Sequence, residues 1–140
     1  MERGKFPAFT TFVGQVSLFA AFLGGGGAAN GTVPSNGGLA DDTATFPKGV
    51  NLGTSLTYVS TGLYTAVLSQ NIKNLLWADG IVVDAGASPT AALKAVVTKI
   101  TPSTNTITVK IYTPAGVLTD LGTSDMLILR VEGADTSVYP

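Results

Sequence analysis

At 140 residues the chain has room for one domain with a core, and its net charge of −1, with no run of Lys or Arg, offers no electrostatic footprint for nucleic acid or an anionic membrane surface. It contains no His and no Cys, which removes the usual general base near neutral pH, any thiolate nucleophile, the imidazole and thiolate ligands of zinc, and every disulfide. Charged residues make up only 12% against 45% hydrophobic, so much of the surface suits burial against partners.

The amino-terminal stretch carries two competing addresses. Arg3 and Lys5 precede an apolar run through Leu23, with small residues at Ala28 and Ala29, the outline of a secretory signal. We expect this segment to be retained. Thr10, Thr11, Gln15 and Ser17 interrupt the run and four glycines end it, so it falls short of the ~20 apolar residues of a membrane-spanning helix.

No charge occurs between Lys5 and Asp41. Phe9, Phe12, Val13, Val16, Ala20 and Leu23 follow helical spacing, whereas Leu18 and Phe22 fall off that face and Gly14 weakens it, so the stretch is read as a short helix or an extended arm. Gly24 to Gly38, rich in Gly, Asn and Ser, reads as a linker. Burying Phe6, Phe9, Phe12, Phe19 and Phe22 gains less than ordering this whole backbone costs. The arm is therefore expected to order only against a partner, and these five rings are candidate partner contacts. The chain divides into an arm and linker, 1–45, and a β-domain, 46–140.

From Phe46 onward, short β-prone runs alternate with Gly, Pro, Asn and Asp, the texture of a small antiparallel β-sandwich or jelly-roll-like domain. Strands are predicted at Ser55–Ser60, Leu63–Ser69, Ile81–Asp84, Leu93–Ile100, Thr106–Tyr112 and Met126–Val131. Asn71 to Trp77 lacks a two-residue period, and its possible N-cap and spaced leucines predict one helical turn. Ile107, Val109 and Ile111 alternate with Thr106, Thr108, Lys110 and Tyr112, giving one aliphatic and one polar face. Pro102 and Asn105 between the fourth and fifth strands predict a hairpin.

The ordered set Thr61-Gly62-Leu63-Tyr64-Thr65-Ala66-Val67-Leu68, Ile107-Thr108-Val109-Lys110-Ile111-Tyr112 and Leu127-Ile128-Leu129-Arg130-Val131 resembles small virion proteins of tailed bacteriophages, over roughly Thr54 to Val131. The resemblance implies a capsid decoration, or cement, protein on the virion's outer capsid surface, a homotrimer whose partner is the major capsid protein. The Phe-rich arm departs from that pattern and leaves open a tail, fibre or baseplate module that binds a host receptor or glycan.

The remaining polar residues carry no chemistry of their own. Asp41 and Asp42 sit in a Gly/Thr-rich stretch and read as a solvated turn, and Asp79, Asp84 and Asp120 read as turn stabilisers at strand ends. The glycine run lacks the Lys-Ser/Thr of a phosphate loop, and no stretch has calcium-loop spacing. Trp77 follows two leucines and reads as a core or interface anchor rather than a sugar platform. Tyr58, Tyr64 and Tyr112 are expected to cover the sheet with their rings while their hydroxyls reach solvent or backbone. No catalytic residue, cofactor or metal is assigned, and the expected role is structural rather than enzymatic.

Overall fold

The alternation of aliphatic and polar residues dictates the architecture. The computed structural model describes residues 15–34, 53–68, 74–84 and 92–134. They form β1 (Gln15–Leu23), β2 (Gly53–Ser60), β3 (Leu63–Leu68), β4 (Asn74–Asp84), β5 (Lys94–Thr101), β6 (Thr106–Tyr112) and β7 (Asp125–Ala134). All pairings are antiparallel, in a four-stranded sheet ordered β2-β3-β6-β5 and a three-stranded sheet ordered β1-β7-β4. The fold is all-β, and of the two architectures expected the seven described strands make the sandwich.

Each sheet contributes its inward positions to one core. Ile107, Val109 and Ile111 of β6 and Leu127, Leu129 and Val131 of β7 are fully buried, together with Phe22, Leu56, Tyr64 and Leu121. Outward positions of β6 are Thr106, Thr108, Lys110 and Tyr112, all half-buried, as the sequence pattern required. The β5–β6 hairpin closes through a 3-10 turn, Pro102–Thr104, and Asn105 takes the left-handed conformation with φ of 51°.

The domain begins well before residue 46. Residues 15–23 are neither helix nor free arm: they pair with β7 from Gln15↔Ala134 to Leu23↔Met126. The energetic expectation counted ring burial alone, whereas the chain's own β7 supplies both a backbone ladder and apolar cover. Phe22, expected to contact a partner, is fully buried opposite Leu127 in its own core. It is removed from the partner-contact set.

The glycine-rich stretch is likewise structured up to Pro34. Leu23 and Thr32 exchange backbone hydrogen bonds of 2.8 and 2.9 Å, and the Gly31 N–H donates to the Leu56 carbonyl at 2.9 Å, so residues 31–32 join β1 to β2 across the open side of the sandwich. The Tyr58 N–H donates to Asn30 Oδ1 at 2.8 Å. Gly31 is needed for closeness: a Cβ there would lie 2.6 Å from both the Leu23 carbonyl and a Leu56 methyl. Residues 35–45 of the expected linker lie outside the described residues.

The expected helical turn also changes. Residues 74–77 continue β4 as strand, because β7 offers register partners along its whole length, including Asn74↔Ala134 and Trp77↔Glu132. The stretch between β6 and β7 is held by side-chain hydrogen bonds. The Gly62 N–H donates to Asp120 Oδ1 at 2.8 Å, the Leu121 N–H to the Tyr64 hydroxyl at 2.9 Å, and the Gly122 N–H to Asp125 Oδ2 at 2.6 Å. Asp120 thus acts as the turn stabiliser that its position suggested.

Two stability outcomes follow. Phe22→Ala should cost about 3–5 kcal/mol in chemical denaturation, whereas a free arm would show almost no change. Burial raises the Tyr64 hydroxyl pKa above its ordinary 10.0, partly offset by the Leu121 N–H bond. On raising the pH the unfolded chain gives up this proton first, so the contribution is complete below that value and declines above it. Denaturation midpoints should fall more steeply in alkali for the native chain than for Tyr64→Phe, and parallel profiles would contradict this.

Candidate partner-binding face

Over Met126–Leu129, β7 is apolar on both sides. Leu127, Leu129 and Val131 face the core, while Met126 and Ile128 alternate with them on the other side and Arg130 continues that outward row. The register sets β1 and β4 residues beside these in transverse rows: Phe19–Arg130–Asp79, Ala21–Ile128–Ile81 and Leu23–Met126–Val83, with Trp77 opposite Glu132 one row further. Phe19 is 41% exposed, Trp77 43%, Ile81 60% and Val83 38%. Large apolar groups therefore crowd the side of this sheet turned away from the core, whereas β6 presents threonine, lysine and tyrosine on the equivalent side of the larger sheet.

The polar elements of this face form a short chain. Arg130 Nε lies 3.6 Å from Asp79 Oδ1, and the guanidinium carbon lies 4.9 Å from the Trp77 ring centroid. Both members of the ion pair are about half exposed, so water screens their attraction. Its effect is local: the pair neutralises the two charges beside the apolar rows, with Glu132 one row further. Asp79 lies within β4 beside Arg130, rather than stabilising a turn.

Two hollows adjoin these residues. A shallow depression of about 220 Å³ is lined by Phe19, Asp79, Gly80, Ile81, Ile128 and Arg130. A second, of about 380 Å³, runs between β4 and β5 along Gly80–Val82 and Leu93–Val96. Gly80 makes both shapes: a Cβ there would lie 2.8 Å from a Leu129 methyl and 3.3 Å from Ala95 Cβ, so glycine lets the two sheets approach at this corner.

Of the six expected contact residues, the fold brings Phe19 and Trp77 to this one face and buries Phe22 on the opposite side of the same sheet. Phe6, Phe9 and Phe12 lie outside the described residues, as do Asp41 and Asp42. Sequence reasoning missed Ile81, Val83, Ile128 and Arg130. For Ile128 and Arg130 the signal was the run Met126–Val131, aliphatic at both parities apart from Arg130, whereas Ile81 and Val83 join the face through the pairing of β4 with β7.

Among the described residues no group of three or more acidic residues is placed to hold a metal ion, and no helix is long and apolar enough to cross a membrane. The chemistry the face offers is apolar adhesion with one charge pair, the Glu132 carboxylate and one aromatic platform. No family model matches this chain, and no curated protein or solved structure matches it. Because the face is outside the folding core, Ile81→Lys and Asp79→Asn should each change unfolding free energy by less than about 0.5–1 kcal/mol in urea titrations. A loss of several kcal/mol would mean that the face is internally packed instead.

Proposed function

We propose that this chain is a structural protein of a virus particle: a capsid decoration protein that binds the outer capsid, spans neighbouring subunits of the major capsid protein and holds them together. The observation that carries the reading is the apolar outer face of the β1-β7-β4 sheet, in a chain with 12% charged residues and no His or Cys. Contiguous exposed apolar surface on a small domain is a surface for binding. The ordered motifs in β3, β6 and β7 that resemble small phage virion proteins add the viral context.

The mechanism is adhesive. Each copy supplies a modest apolar contact, and copies linked as a homotrimer engage the shell together, so the effective concentration of each further contact rises once the first has formed. Shell stability is raised by bridging rather than by chemistry.

A second reading has its own observation. The fold places Arg130 against the half-exposed Trp77 ring, Asp79 beside Arg130 and Glu132 opposite Trp77 across the strands, so polar groups do surround the aromatic platform, although its sequence neighbours gave no sign of them. That arrangement suits a glycan or receptor contact on a tail, fibre or baseplate module.

Copy number separates the two. Quantitative mass spectrometry of purified particles should find this chain at a number comparable to the capsid subunits. A handful of copies per particle would favour the attachment module, and absence from particles would overturn both.

A further inference from the structure

We propose that the outer face of the β1-β7-β4 sheet receives the amino-terminal segment, Phe6 to Phe12, of a second copy of this chain, so that copies are joined by exchange of their leading segments. This inference rests on the reading of that face as a partner contact, and it assigns the face to the contact between the copies of the proposed homotrimer rather than to the capsid subunit itself.

Three observations converge. The first is size. Three strands spaced about 4.8 Å apart, taken over the seven residues Trp77 to Val83 and their partners at about 3.4 Å each, present on the order of 300 Å². That is well below the ~800 Å² per partner of a stable interface, so two such faces pressed together would not hold. An occupant must cover this strip and continue elsewhere, as a chain segment does. Phe6 to Phe12 has seven residues, the same number as Trp77 to Val83, and no charge.

The second is shape and chemistry. The depression between Phe19, Ile81 and Ile128 is walled by the Asp79–Arg130 pair, an apolar floor with a cation at its rim. Phenyl rings suit such a site through apolar burial and the attraction of a guanidinium for a ring face. Phe6, Phe9 and Phe12 recur every third residue and Pro7 lies among them, and three residues is the period of the polyproline-type helix that proline favours.

The third is reach. β1 begins at Gln15 on the edge of this sheet, three residues after Phe12. Climbing onto its own sheet face takes about 10 Å, and three residues span at most about 11 Å. Phe12 therefore has no room to turn back over Phe19 and Ile81, and the seven-residue segment laid as a whole along the strip cannot come from the same chain. Phe9, six residues before Gln15, has that room, which is why an intrachain link is one of the outcomes tested. A neighbour's face sets no such bound, because its distance from Phe12 is not fixed by the three residues before β1.

The chain has no cysteine, so introduced thiols report cleanly. Full-length chains carrying Phe9→Cys are mixed with full-length chains carrying Ile81→Cys and treated with a short bismaleimide. Thr57→Cys, exposed on β2 of the other sheet, is the control acceptor. Linked heterodimers with Ile81→Cys should exceed those with Thr57→Cys by at least about tenfold, because docking concentrates the thiols. Equal yields overturn the exchange, and so does an intrachain link that dominates in the doubly substituted Phe9→Cys, Ile81→Cys chain at every concentration. Ile81→Lys in the full chain tells this failure from failure of the contact face itself. If Ile81→Lys still lowers assembly mass although no preferential link forms, the face stands and the exchange falls. If it changes neither, both fall.

Discussion

A β-strand that is apolar on both sides must be covered twice. Over Met126–Leu129, β7 is that strand: it runs between β1 and β4, and its inward leucines and valine complete the core with Phe22, Ile107, Val109 and Ile111. Its outward residues, with Phe19, Ile81 and Val83 beside them, form a second apolar layer that the larger sheet cannot reach because it already occupies the other side. The fold and the adhesive reading both come from this one doubly apolar strand.

The same strand explains why the amino terminus belongs to the domain. Nine consecutive β1 residues find register partners in β7, so the ladder hydrogen bonds and the burial of Phe22 are obtained within one chain. Glycines then serve proximity rather than slack. Gly31 passes between Leu23 and Leu56, and Gly80 lets β4 lie against β5, both at places where a side chain would separate the sheets.

Legibility followed the strength of the local period. β6 and its hairpin with β5 were readable because Ile107, Val109 and Ile111 alternate strictly and Pro102 with Asn105 punctuates the turn. β1 was missed because its composition, Ser17 to Leu23, is nearly uniform and lets helical spacing compete with strand spacing, and only the distant β7 decides between them. The first residues of β4 were missed for the same reason. Phe19 and Trp77 could be named from their size, but their convergence on one face with Arg130 depends on cross-strand register, which residues distant in sequence do not display.

The central claim is that the outer face of the smaller sheet is covered by another molecule. Trp77, the single tryptophan, sits half-exposed on that face and reports its accessibility directly. Acrylamide quenching of its fluorescence should weaken progressively as the purified protein is concentrated and copies cover one another. Quenching that stays as strong at every concentration, with and without capsid shells added, would contradict the account.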